Sequence, residues 1–422
     1  MSNHPVSPDS TSQSVSSAPT KRLPLWEFVS LTAMLMALNS LAIDIMLPAL
    51  PQMGLDFAMR EENDRQLIIV SYMLGFGVSQ LFYGPLTDRF GRRSVLFVSL
   101  FFYIIAGIMC VFAPTFEILI AVRAFMGASA GGSRVIAVSA ARDLYAGRQM
   151  AKVMSLIMIV FMTAPIVAPG IGQVMLKIMD WRGIFWGLAM FGALMFVWVL
   201  TRLPETLPKE RRQPFNLPTM FKNYWKVIKT RDSLGYTIAS GLLFGGLMSY
   251  ISSSEQLYHE VYATGDWFAL WFAGAAIAMS ASNLINSQLV ERLGMRVLSH
   301  GALIAFVIVS AIHTVIALQG PVPFTLFYSL MIIAFFAVGF QGPNYNAIAM
   351  EPLGALAGSG AALIGFASSF VSATIGGVVA RQFDGTITPI VVGHAILGSL
   401  ALLAILITER GKLMRPHTHM AN

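Results

Sequence analysis

Gly84-Pro85-Leu86-Thr87-Asp88-Arg89-Phe90-Gly91-Arg92-Arg93-Ser94 joins two apolar segments through a link too short to hold a domain. Each flanking segment is long enough to cross a bilayer, which takes ~20 apolar residues in a helix. Glycine and proline allow a tight reversal, and three arginines against one aspartate give the link the basic excess of a cytoplasmic loop. Any short inside loop collects arginines. That does not account for Asp88 and Gly91 at fixed offsets from Gly84.

The rest of the chain agrees with a membrane setting. Of 422 residues, 56% are hydrophobic and 12% are charged, against about 25% charged in a soluble domain. The formal net charge of +7 sits in the loops between apolar runs, which is the positive-inside pattern of a membrane protein and not a nucleic-acid face. The single cysteine, Cys110, lies in an apolar run, so an intrachain disulfide is excluded. No clustered metal ligands and no nucleophile–base motif point to an enzyme, and no cofactor is expected. A receptor lacking a sensing domain stays open at this level.

Apolar runs predict twelve spans, near 26–47, 66–86, 94–113, 117–141, 151–176 and 182–202, then 233–256, 266–290, 296–318, 323–345, 354–380 and 387–408. The expected organisation is a disordered, Ser/Thr/Pro-rich cytoplasmic N-terminus (1–24), a six-helix bundle (25–202), a basic cytoplasmic linker (203–231), a second bundle (232–408) and a cytoplasmic tail (409–422). Lys21 and Arg22 precede an uncleaved first span. The link 48–65 is rich in acids and 257–266 has no Lys or Arg, which puts both outside and both termini inside. The fold class is therefore all-α, a polytopic membrane protein of two pseudo-symmetric six-helix bundles. Glu291-Arg292-Leu293-Gly294-Met295-Arg296 repeats the spacing of Asp88 through Arg93, as two related halves with a site between them require.

Ionisable groups inside a membrane cost at least ~2.5–3.5 kcal/mol and are functional candidates by default. Asp44 lies about one turn from the outer end of span 1, where it either takes part in coupling or is wetted from outside. Arg123 in span 4 sits at similar depth, and a pairing of the two, direct or through water, would satisfy both charges. Arg123 is equally readable as a purely structural partner. Arg134 lies nearly three turns further on the same face and either looks into an inward vestibule or snorkels to the interface. On the cytoplasmic side, Asp143 is expected to pair with Arg92 or Arg93, and Glu351 with Arg292 or Arg296. Such pairs are latches if they form in one access state only, and otherwise ordinary loop electrostatics. Glu255 and His313, near the outer ends of spans 7 and 9, are weaker candidates.

Span 5 carries Ala164-Pro165-Ile166-Val167-Ala168-Pro169-Gly170-Ile171-Gly172. Two prolines four residues apart are expected to kink or loosen a helix, and the small residues permit close packing. Polar groups for a sugar-like substrate are few, with Gln80, Asn283, Asn286, Asn344 and Asn346 the candidates and Asn344 a vestibule candidate beside Arg134. Plentiful Met (25) and Phe (29) suit an adaptable apolar pocket.

The Gly84 link resembles the loop between spans two and three of the major facilitator superfamily, roughly G-x-L-x-D-R-x-G-R-[KR]. Span 5 resembles the antiporter motif of superfamily exporters, roughly G-x-x-x-G-P-x-x-G-G, with Pro169 and Gly172 matching while Ala168 and Gln173 replace glycines. Asp44 through Pro51, Arg123 through Gly127, Arg142-Asp143-Leu144, Leu203 through Leu207 and Met350-Glu351-Pro352 further resemble bicyclomycin-resistance-type (Bcr/CflA) drug:proton antiporters, over residues 25–408. Met126 departs from that family's usual glutamine, and Arg134 is unusual for it. The resemblance implies substrate and proton handling by Asp44 and Arg123. It also implies a cytoplasmic gate of Gly84, Asp88, Arg89, Gly91, Arg92, Arg93 and Asp143, and a second-half gate of Glu291, Arg296 and Glu351. The function implied is a monomer in a bacterial inner membrane that exports small amphipathic antimicrobials in exchange for protons. The alternative is a proton-coupled metabolite transporter, for an anion attracted by Arg123 and Arg134.

Overall fold

The protein is described from a computed structural model covering residues 23–59, 61–145 and 147–414. Most of the expected N-terminal tail and the last residues of the C-terminal tail fall outside the described residues. The helices of the first half are span 1 (Leu25–Asp44), span 2 (Leu67–Phe90), span 3 (Arg92–Val111), span 4 (Phe116–Leu144), span 5 (Gly147–Leu176) and span 6 (Trp181–Arg202). Those of the second are span 7 (Arg231–Gln256), span 8 (Phe268–Leu293), span 9 (Met295–Ala317), span 10 (Phe324–Met350), span 11 (Ala357–Ala380) and span 12 (Thr388–Thr408).

Eleven described segments are long and apolar enough to cross a membrane. The twelfth helix is span 4, whose 29 residues include three arginines and the run Gly127-Ala128-Ser129-Ala130-Gly131-Gly132-Ser133, which lower its hydropathy. Those small residues serve packing. A methyl at Gly127 would lie 1.9 Å from the Tyr72 carbonyl and one at Gly75 would lie 1.8 Å from the Ala124 carbonyl, so spans 2 and 4 cross with their backbones in contact. Across the two halves, span 2 packs along span 11 and span 5 packs on span 8.

The Gly84–Ser94 link is not the loop its glycine and proline suggested. Span 2 continues as helix to Phe90, Gly91 alone turns the chain at φ 93°, and span 3 begins at Arg92. Gly91 is needed twice over, for its positive φ and because a side chain there would lie 2.4 Å from the Glu205 carboxylate. Pro85 is tolerated inside span 2. It has no N–H to bond the Leu81 carbonyl four residues back, and the Tyr224 hydroxyl donates to that carbonyl at 2.6 Å instead. The second half repeats the turn, with Gly294 at φ 83° and ψ 153° against 93° and 154° at Gly91.

Two further departures concern helices. Span 5 is assigned as one unbroken helix through Pro165 and Pro169, packed between spans 1 and 8, so the expected loosening does not interrupt it. The linker contains a helix, Leu217–Lys229, capped by Asn216, whose side chain accepts from the Thr219 amide at 3.1 Å.

Candidate functional site

Asp44 ends span 1, but a helical turn at Leu47–Ala49 and a short helix at Leu50–Asp56 follow it. The residue is therefore not at the outer rim. It is 4% exposed, which rules out the wetted aspartate as a description of this state. The Ser40 hydroxyl donates to its carboxylate at 2.9 Å, and no cationic side chain pairs with it among the described residues.

Of the pairings expected between Arg123 and Asp44, direct or through water, the direct one is not formed among the described residues. Arg123 is fully buried, donates to the carbonyls of Ala42 at 3.0 Å and Ile68 at 3.2 Å, and lies 4.4 Å from the centre of the Tyr72 ring. Ala42 belongs to the last turn of span 1, where carbonyls lack intrahelical donors and a cation is favoured. Equal depth had suggested a pair. Arg123 instead meets span 1 at a backbone group about 200° around the helix from Asp44.

One end of the bundle carries the acidic links, and there the halves are bonded to each other. Arg65, at the start of span 2, reaches Glu260 and, at 3.5 Å, Glu255 in span 7. His259 Nδ1 lies 3.3 Å from the same Glu255. Gln66 donates to Gln256 at 2.6 Å, Asn63 to the Arg381 and Phe383 carbonyls at 3.0 and 2.8 Å, and Arg381 to Asp64 at 2.6 Å. Glu255, a weak sequence candidate, is 2% exposed and central to this seal. Arg65 was read only as a loop charge. Its partner is 190 residues away, and nothing local signals such a pair.

Removing one partner of a buried ion pair costs about 3–5 kcal/mol, so Arg65→Ala is expected to weaken this seal strongly. Spin labels at Glu62→Cys and Asp384→Cys, in a Cys110→Ser background, should then report a longer distance than with Arg65 present. Adding Glu255→Gln should restore the short distance. An unchanged distance distribution in Arg65→Ala would contradict the seal.

At the opposite, basic end Arg92 and Arg296 each anchor a cluster of ion pairs within their own half. Arg92 bonds Asp88 at 2.6 Å, Thr87 at 2.6 Å and Asp143 at 3.2 Å, so Asp143 takes Arg92 and not Arg93. Arg93 donates to the Leu200 carbonyl at 2.7 Å, and Arg89 is exposed beside Phe90. Glu205, given no role from sequence, accepts from the amides of Arg92 and Arg93 at 2.8 and 3.2 Å and so caps span 3. In the second half, Arg296 meets Glu409 at 2.8 Å, Glu351 at 3.6 Å and Asp232 at 3.7 Å.

Glu291 is exposed, and no ion pair from it to this cluster is present among the described residues. Asp232 and Glu409 fill the acidic role that the repeat assigned to it. Burial pushes the Glu409 carboxyl up, but bonds from Tyr236 and Arg296 outweigh it and leave it below the ordinary glutamate range. Deeper in the bundle, Gln80 of span 2 donates to the Gly365 carbonyl at 3.2 Å and the Ser369 hydroxyl at 3.0 Å of span 11.

Arg134 is exposed although it lies about 160–180° around span 4 from the outward-facing Ile118 and Phe125. It therefore faces the interior side of span 4, and no carboxylate pairs with it among the described residues. Asn344, the other residue expected beside it, is placed differently. It is buried and donates to Asn286 at 2.7 Å, tying span 10 to span 8. In span 5, a methyl at Gly172 would lie 2.0 Å from the Ile45 carbonyl and one at Gly170 3.7 Å from Ala269. The Pro165–Gly172 stretch thus brings span 5 against the turn after Asp44 and against span 8. His313 is buried in the second half, with Nε2 unbonded among the described residues.

A family description, the Major Facilitator Superfamily, matches residues 32–377. The chain is 29% identical over 398 residues to a bicyclomycin resistance protein homolog of Haemophilus influenzae, covering 90% of this chain and 94% of the relative. It is 29% identical over 343 residues to Multidrug resistance protein D of Escherichia coli, covering 79% and 83%. Among solved structures, the xylose transporter XylE of E. coli superposes with a TM-score of 0.73 at 13% identity, covering 93% of this chain and 99% of that one.

Proposed function

Because the chain belongs to the Major Facilitator Superfamily, we propose that it is a proton-coupled exporter of small amphipathic antimicrobials that works by alternating access. The likeness to drug-resistance relatives over most of its length supports the direction and the substrate class. The observation that carries the coupling is Asp44, a buried carboxylate bonded by Ser40 and by no cation among the described residues. A proton on Asp44 makes the occluded site neutral. Its loss, or its displacement by substrate, restores a charge that a closed, dry site disfavours.

The exchange needs two access states. In this reading the acidic end faces outside and is sealed, while the basic end faces the cytoplasm and is open at Arg134. A drug enters from that side, the Arg65 seal parts, and a proton returns as the drug leaves. The protein sits as a monomer in a bacterial inner membrane with both termini in the cytoplasm, and its partners are the drug, protons and the bilayer. Arg123 holds spans 1 and 2 in register beside Asp44 and is a positioning residue. Expression in a pump-deficient bacterium should lower the cellular content of some members of an antimicrobial panel, and a protonophore should remove the difference. Unchanged accumulation of every compound would refute export.

Arg134, facing the interior side of span 4 and paired with no carboxylate among the described residues, favours a second reading, a substrate bearing an acidic group. Hydrogen bonds to a charged group contribute about 1.5–3 kcal/mol. On that reading Arg134→Gln raises KM for acidic substrates roughly 10- to 100-fold and leaves neutral and cationic ones alone. Equal effects on all charge classes would remove it.

A further inference from the structure

The linker helix Leu217–Lys229 carries three side-chain stripes that the transport cycle leaves unexplained. Met220, Tyr224 and Val227 are buried against the bundle. Leu217, Phe221 and Trp225, at four-residue spacing, are 43%, 60% and 58% exposed. Lys222, Lys226 and Lys229 are exposed on the next stripe around, and residues 217–229 include no Asp or Glu. The Lys229 ammonium lies 5.3 Å from the centre of the Trp225 ring, so the apolar and charged stripes adjoin.

The inner stripe fixes which way the other two point. Tyr224 bonds the Leu81 carbonyl of span 2, and the same helix packs on spans 7 and 11. Burial pushes the Tyr224 phenol up to about 12, so it stays protonated and donating at physiological pH. The helix is thereby held at the basic end of the bundle. There it has apolar rings on one exposed stripe and, on the next, three cations that form no ion pair among the described residues, the side-chain order of a helix lying in a membrane interface.

We propose that this helix is a docking site for anionic phospholipid headgroups, with Phe221 and Trp225 among the acyl chains and the three lysines on the phosphates. Charge complementarity selects the occupant. Each lysine near an anionic surface contributes enough to raise affinity several-fold, and the apolar stripe suits a lipid better than a water-borne anion. The site is independent of what the protein carries.

The test uses the full chain in mild detergent, titrated with phosphatidylglycerol or phosphatidylcholine and followed by native mass spectrometry. The wild type should bind phosphatidylglycerol about 10- to 100-fold more tightly, with the preference shrinking as salt rises. The triple variant K222Q/K226Q/K229Q should lose the preference, and the single variant Lys226→Gln, the milder change, should lose part of it. Phe221→Ala with Trp225→Ala should weaken both lipids alike. Equal wild-type affinities, or a preference that survives the lysine changes, would overturn the proposal. So would saturable binding of polyglutamate without lipid preference, which would mark a protein partner.

Discussion

Asp44→Asn is expected to abolish uphill export while leaving downhill exchange within a few-fold of wild type. The substitution keeps an acceptor for Ser40, which bonds the carboxylate at 2.9 Å, and preserves the side-chain volume in a site that is 4% exposed. It removes only the ability to alternate between charged and neutral forms. Each net charge moved draws about 2.3 kcal/mol from a 100 mV potential, equivalent to roughly a 50-fold gradient. Wild-type vesicles should approach gradients of that order, and Asp44→Asn should settle near equality on both sides. Counterflow of labelled drug against unlabelled drug would show that binding and access alternation survive. A variant that still builds a gradient would move the coupling to another group.

The second large effect is expected at Arg123, and it is one of stability as much as transport. Arg123→Ala removes a buried cation with two carbonyl bonds and a ring contact, and it leaves the last turn of span 1 uncapped. Bonds to a charged group contribute about 1.5–3 kcal/mol each, so the variant should unfold several kcal/mol more easily and transport poorly at growth temperature. Arg123→Lys keeps the charge but lacks the planar fork that reaches Ala42 and Ile68 together, and it should fall between. Thermal unfolding in detergent gives the order. Wild-type stability in Arg123→Ala would show that the bonds to spans 1 and 2 contribute nothing.

The sequence made some of this legible and hid the rest for identifiable reasons. The twelve helices followed from apolar run length, and the repeated turn at Gly91 and Gly294 followed from spacing. Pairs at the basic end were anticipated as Asp143 with Arg92 or Arg93 and Glu351 with Arg292 or Arg296. The structure selects Arg92 and Arg296. Helical rise gave the common depth of Asp44 and Arg123, but not how the two helices are rotated toward each other, so of the pairings expected, direct or through water, the direct one is absent among the described residues. The Arg65–Glu255 contact joins residues far apart in sequence, which spacing rules do not reach. The linker helix could have been found. Asn216 as a cap, Pro218 in the first turn and apolar residues at 217, 220, 221, 224, 225 and 228 form a helical pattern, which the surrounding charge obscured.

The central claim is tested most directly by proton movement evoked by substrate. Purified protein in sealed proteoliposomes with an enclosed pH reporter is given a transported drug on one side, with no imposed gradient. The account predicts proton movement opposite to the drug, lost in Asp44→Asn while drug binding persists. Proton movement in the same direction as the substrate, or drug movement with no proton flux, would contradict it.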